Sequence, residues 1–239
     1  MPVISDSEYL SFLDTLVPLQ KKNLTQYFES FVSYNKREQM HQVLAHRTRH
    51  VAVVLENIYQ PHNAATVRSC ECFGFQDLHI IEAKTKHTIN PNVTMGGCKW
   101  VSMHHHKKDI GGTVAVLKRL KASGFKIGST SMRLGCVPLE ELDLNQPIAL
   151  CFGTEEKGLS EEAHDMADVF VQIPSYGFTQ SFNVSVSVAQ SLTSIRNRLE
   201  QSDLPWQLTP GDRLTLYLTW LIKTANRGLV IARNYLERN

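Results

Sequence analysis

Apolar positions recur at helical spacing along the first fifty residues. Tyr9, Leu10, Phe12, Leu13, Leu16 and Val17 predict a helix over 7–17, halted by Pro18. A second helix is predicted from Asn23, with Gln26 as its capping-box partner and a stripe through Tyr27, Phe28, Phe31, Val32, Met40, Val43 and Leu44. At Val51 the pattern changes. VAVVL (51–55) is a β-branched run without polar alternation, as in a strand buried on both faces. A helix through Pro61 to Gly74, DLHII (77–81), a Thr-, Asn- and Gly-rich loop over 85–98 and WVSMHHHKK (100–108) come next. A helix over 112–122, FKIGST (125–130), PIALCFG (147–153), a short helix over 160–167 and VFVQIP (169–174) follow. Strands alternating with helices at this spacing predict an α/β fold with a mostly parallel sheet.

The densest chemistry lies in IPSYGFTQSFNVSVSVAQSLTSI (173–195), a polar turn running into a helix with small residues at Ser185, Ser187 and Ala189. Backbone and hydroxyl groups converging on a flat polar ligand would explain it, and so would Ser and Asn residues that merely cap the helix. QSDLPW (201–206) reads as a linker. Beyond it Thr209 is an N-cap, with Pro210 and Asp212 in the first turn and an apolar face of Leu214, Tyr217, Leu218 and Leu221. The layout is a helical arm (1–50), an α/β core (51–200) and a helical tail (201–239).

A length of 239 residues supports a sizeable core without staples. The net charge of +2 is too small to name a partner, so local clusters matter more. His41, His46, Arg47, Arg49 and His50 either complement a helix end or contact phosphate. Five cysteines without a CxxC point to a reducing compartment rather than a zinc or disulfide framework. No leader pattern and no 18-residue apolar run is present, which implies a cytoplasmic protein without a membrane anchor. Consecutive His104, His105 and His106 on a strand would point to alternating faces, so a solvated or nucleic-acid-facing edge is expected, not a metal site.

In open parallel sheets, ligands sit beyond the carboxyl ends of the strands, where the turns 153–158 and 174–183 fall. GTEEKGLS lacks the Lys-Ser/Thr pair of a phosphate loop, and no GxGxxG follows the first strand, which argues against ATP and NAD. What remains is a constellation of Asn63, Arg68, Glu155, Ser181 and Asn183. PHNAATVRSCECFG (61–74), LCFGTEEKGLS (150–160) and IPSYGFTQSFNVSVSVA (173–189) together resemble, in order, the motifs of the SPOUT superfamily, and within it the TrmH-type tRNA ribose 2′-O-methyltransferases that modify guanosine 18.

The resemblance implies a C-terminal trefoil knot, which the usual avoidance of threaded chains would not suggest. It also implies S-adenosylmethionine as methyl donor, a tRNA substrate, and a homodimer with its pocket at the two-fold interface. Arg68 matches the catalytic arginine, Asn63 the asparagine before it, Glu155 the acidic residue of the second motif, and Ser181 and Asn183 the polar pair of the third. Gly153, Ile173, Ser181 and Phe182 fall where members of that family hold the cofactor, and Arg47, Arg49 and Arg68 are the expected RNA contacts. No metal is implied. The chain departs from the pattern twice: Arg68 follows Asn63 by five positions instead of six, and Phe182 replaces a leucine. Two other readings stand beside this one: the same reaction on ribosomal RNA or the tRNA anticodon, and a non-catalytic RNA-binding homologue.

Overall fold

The computed structural model describes residues 6–58, 60–82, 94, 96–107, 111–133 and 135–238, with backbone only at 7 and 60–62. Most of the loop read over 85–98, and Lys108, lie outside the described residues. The chain opens with helices α1 (Asp6–Asp14), α2 (Pro18–Glu29) and α3 (Tyr34–Ala45). Then come β1 (Thr48–Glu56), α4 (Gln60–Phe73), β2 (Phe75–Glu82), β3 (Ser102–Lys107), α5 (Gly112–Ala122), β4 (Lys126–Thr130) and β5 (Val137–Pro138). After these are β6 (Ile148–Phe152), α6 (Glu161–Asp165), β7 (Val169–Gln172), α7 (Val184–Glu200), α8 (Pro210–Thr224) and α9 (Gly228–Arg238). Residues up to Arg47 and those from Gln207 onward make one compact unit, and Thr48–Trp206 makes another.

Pro18 both ends one helix and begins the next. It lacks the N–H that would continue α1, and its fixed φ suits the first position of α2. The helix expected from Asn23 therefore starts five residues earlier, and its long stripe is split between α2 and α3 by the turn at 30–33. In this helical unit α8 is the axis: every residue from Leu216 to Ile222 is buried, and α1, α2, α3 and α9 pack around it. The α8 start matches its signals, because Thr209 Oγ1 accepts the Asp212 N–H at 3.1 Å. Arg47 corrects an expectation. It is 1% exposed, with its guanidinium over the Trp220 ring at 5.4 Å, so it is a buried structural cation and not a phosphate contact.

In the other unit all strand pairs are parallel, in the order β3-β2-β1-β6-β4-β7-β5. The run in β1 supplies both faces. Val51, Val53 and Leu55 join Val67 and Cys70 of α4 and Val188, Leu192 and Ile195 of α7 on one side. Ala52 and Val54 meet Val116, Leu117 and Leu120 of α5 on the other. The segment read as a linker is pinned: Trp206 is buried in the first cluster, beneath the Arg196 guanidinium at 4.5 Å, and its carbonyl accepts from Thr48 Oγ1.

The histidine run behaves as its alternation requires. His104 and His106 lie on one face, where both rings stack with His79, at 4.3 and 5.2 Å between centroids. His105 turns the other way, to Glu82 at 3.5 Å. His104 Nε2 meets Asp77 Oδ1 at 3.1 Å, and Arg49 donates to both Asp77 oxygens at 2.9 and 3.0 Å. Arg49 is thus tied into this cluster through Asp77, with 33% of its side chain exposed. Burial and the neighbouring His104 push His79 down to about 3 and His106 down to about 4. Despite its burial, Arg49 and His104 hold the Asp77 carboxyl below the usual carboxylate range. A histidine depressed in the folded state binds its proton only after unfolding, so these two imidazoles stabilise the fold fully above about pH 6.5 and progressively less below it. Stability should therefore fall between pH 7 and pH 5 by on the order of 1–2 kcal/mol per imidazole. Urea midpoints at the two pH values should show a shallower slope for His79→Phe than for the unsubstituted chain.

Candidate active site

Strands β4, β6 and β7 end side by side, and the turns that leave them enclose a cleft of about 380 Å³. That size is in the ~300–1,000 Å³ range of small-molecule sites. Gly153, Glu155, Ile173, Ser181 and Phe182, all singled out from the sequence, line it.

The turn after β6 closes on itself. Thr154 N–H donates to Gly158 O at 3.1 Å, Gly158 N–H returns the bond to Thr154 O at 2.8 Å, and Lys157 N–H donates to Thr154 Oγ1 at 3.1 Å. A Cβ at Gly153 would sit 2.0 Å from the Gly158 carbonyl carbon, so only glycine fits there. The turn thereby presents Glu155 to the start of α7. Its Oε1 accepts from Asn183 Nδ2 at 2.6 Å and from the Val184 N–H at 3.2 Å. Asn183 is the N-cap, and its Oδ1 accepts from Ser185 N–H at 3.0 Å and Ser185 Oγ at 2.6 Å. Capping and site architecture, posed as alternatives, are one arrangement here. A carboxylate satisfying free N–H groups at a helix start is stabilised by the helix dipole, by about 0.3–1 kcal/mol.

Sequence reasoning missed a second group. Arg133, just past β4, donates through Nη2 to both oxygens of Glu161, at 2.6 and 2.7 Å. That contact holds the Glu161 carboxyl below the usual range. His164 lies one helical turn on, only 8% exposed, and burial and Arg133 push it below the ordinary histidine value. Its Nδ1 is buried with no hydrogen-bond partner. All three residues line the cleft. They stand outside the motifs, and only the Ser160-Glu161 helix start signalled any of them. That start is fixed from below: Glu56, buried at the end of β1, accepts from Ser160 N–H at 2.8 Å and Ser160 Oγ at 2.7 Å, and from Thr113 Oγ1.

Three residues of the expected constellation do not line this cleft: Asn183, which acts as the α7 cap, Arg68 and Asn63. Arg68 is exposed on α4, and Asn63 is fully buried, its Nδ2 donating to Ile58 O at 2.9 Å. A five-residue separation places two helical side chains roughly 140° apart, so one faces the core while the other faces out. Asn63 accordingly holds the start of α4 to the segment before it, on the face away from Arg68, which corrects its expected part in the site.

Hydroxyls, turn backbone, a guanidinium–carboxylate pair and an unsatisfied imidazole nitrogen suit a small polar ligand that carries both charges. A profile of the SpoU rRNA Methylase family matches residues 50–192. The tRNA (guanosine(18)-2′-O)-methyltransferase of Borreliella burgdorferi is 40% identical over 191 residues, covering 80% of this chain and 86% of that protein. Its namesake in Thermus thermophilus is 36% identical over 200 residues, covering 79% and 96%. Among solved structures, the A. aeolicus TrmH/SpoU tRNA modifying enzyme superposes with a TM-score of 0.72 at 28% identity, covering 80% of this chain and 98% of that one. The AviRb methyltransferase of Streptomyces viridochromogenes, in complex with AdoMet, shares the fold at 19% identity and a TM-score of 0.56.

The cap makes a measurable claim. Asn183→Ala should cost about 0.5–2 kcal/mol in urea unfolding. Asn183→Asp keeps the acceptor for Ser185 but sets a second carboxylate against Glu155, and should be less stable at pH 7 than at pH 4.5 relative to the unsubstituted chain.

Proposed function

This chain belongs to the SpoU rRNA Methylase family, and on that premise we propose that it methylates the ribose 2′-oxygen of guanosine 18 in tRNA, using S-adenosylmethionine. The observation that carries the reading is the convergence of the second and third motifs on one cleft, joined by the Glu155–Asn183 contact. The substrate follows from relatives that match most of this chain and carry that activity in their names. Ribosomal RNA and the tRNA anticodon are the competing substrates.

Bound S-adenosylmethionine supplies an electrophilic methyl group. Gly153, Ile173 and Phe182 would form the walls that hold it, and Glu155 would keep the turn through Ser181 in place by anchoring the start of α7. The knot expected of this fold would form where the chain leaves β7 and lays α7 against α4. Arg68 is absent from its own chain's cleft, so the site is completed by Arg68 from a second copy in a homodimer. The open groove of about 920 Å³ beside Ala65 and Ser69 of α4 and Val186 and Ala189 of α7 is where that copy would pack. A guanidinium with a pKa above about 12 is a poor base. Arg68 instead holds an RNA phosphate and polarises the hydroxyl, whose proton leaves to phosphate or water. Positioning of this kind supplies up to about 7–11 kcal/mol of a barrier. Among the described residues no helix is long and apolar enough to cross a membrane, and the proposed enzyme works in the cytoplasm, where its substrate is.

Incubation with labelled S-adenosylmethionine and total tRNA, followed by mapping of the ribose methyl, should place the label at position 18. Label confined to ribosomal RNA or to the anticodon would reassign the substrate, and no label with any RNA would leave a binding protein. Arg68→Ala should abolish transfer while leaving adenosylhomocysteine binding intact. Mixing it, through denaturation and renaturation, with a cleft-impaired Glu155→Ala chain should restore part of the activity, because mixed dimers contain one complete site. Arg68→Lys should recover little if the planar two-pronged contact matters, and much if a point charge suffices.

A further inference from the structure

Arg133, Glu161 and His164 have no part in the transfer described above, yet they stand together in the same cleft. We propose that they form the subsite for the amino-acid end of the methyl donor, with Arg133 binding its carboxylate and Glu161 its ammonium group. The proposal rests on the donor-site reading given under Proposed function and extends it.

The donor ends in one carboxylate and one ammonium on the same carbon, and Arg133 and Glu161 offer the complementary pair already in contact at 2.6 and 2.7 Å. With side chains 44% and 75% exposed, that ion pair adds little to folding, so each partner can exchange the other for a ligand group at small cost. The scaffold beneath it is firm. Ser160, the residue before Glu161, is held by Glu56 through its N–H and its hydroxyl and also caps α6. Arg133 follows Ser131, whose N–H donates to Val171 O at 2.9 Å and whose hydroxyl accepts the Arg133 N–H at 3.2 Å.

His164 is the independent sign that the cleft is built for a polar guest. Its buried Nδ1 has no hydrogen-bond partner in the chain, and a polar group left unpaired in the interior is costly. A ligand group that reaches it would supply the missing partner. Lys157 and Glu155 also line the cleft, but Glu155 is engaged at the start of α7. A charge-balanced site suits a zwitterion better than it suits an anionic phosphate.

The test compares two ligands by calorimetry with the full chain: S-adenosylhomocysteine, which has the amino-acid end, and 5′-methylthioadenosine, which lacks it. The unsubstituted chain should prefer the first. Arg133→Gln should weaken S-adenosylhomocysteine about tenfold or more and leave 5′-methylthioadenosine unchanged. Arg133→Lys should recover part of the loss. Decarboxylated S-adenosylmethionine, which keeps the ammonium only, should be insensitive to Arg133→Gln and weakened by Glu161→Gln. Equal loss for S-adenosylhomocysteine and 5′-methylthioadenosine would make Arg133 a general support of the fold and overturn the subsite, as would no loss for either. A defect confined to tRNA binding would make it an RNA contact and overturn it too. If the unsubstituted chain binds none of these ligands, the donor-site reading itself fails; if it binds them without discriminating, only the subsite does.

Discussion

A carboxylate placed at the first turn of a long helix organises the cleft. Glu155 reaches from the turn after β6 to Asn183 and the Val184 N–H, so a single carboxylate oxygen, Oε1, ties the self-bonded loop to the start of α7. Free N–H groups at a helix start need acceptors in any case, and here the acceptor comes from a segment about thirty residues upstream in the chain. Because α7 buries Val188, Leu192 and Ile195 against the sheet, its orientation is settled by apolar packing, and the carboxylate then sets where its first turn lies. The polar wall of the cleft is therefore only as well placed as that core. Glu56 repeats the device at α6, with a buried carboxylate beneath Ser160. Two helix starts, each held by an acid from elsewhere in the chain, frame one small-molecule site.

Much of this was legible beforehand, for identifiable reasons. The run in β1 could only be a strand sealed on both faces, and the alternation of Val51, Val53 and Leu55 against Ala52 and Val54 carries that out. Thr209 and Pro210 fixed the start of α8, since a capping hydroxyl followed by proline is a local signal that needs no tertiary help. Gly153, Glu155, Ser181 and Asn183 stood out through the resemblance of their segments, although Glu155 reaches Asn183 across 28 positions that no local pattern spans. Arg133 did not, because neither it nor its partner Glu161 belongs to those segments.

The errors share a physical cause. Arg47 sits in a run of basic residues, and a run of charges reads as surface until something covers it. Trp220, about 170 positions away, stacks on Arg47. Trp206 was lost to the linker reading because Pro and Asp beside it imitate an open segment, whereas the ring is buried. α8 buries seven successive residues, Leu216 to Ile222, so it is covered on every side there. Its cover is drawn from α1, α2 and α3 at the opposite end of the sequence, a link no local window contains.

The outer strands have a consequence of their own. A parallel sheet offers an unpaired row of amides and carbonyls along each rim, which a stray chain could extend. β5 is two residues long and ends in a proline, and β3 carries a file of imidazoles and Lys107. One rim is too brief and lacks a donor; the other is polar and crowded with rings. Lateral growth into fibres is discouraged on both flanks.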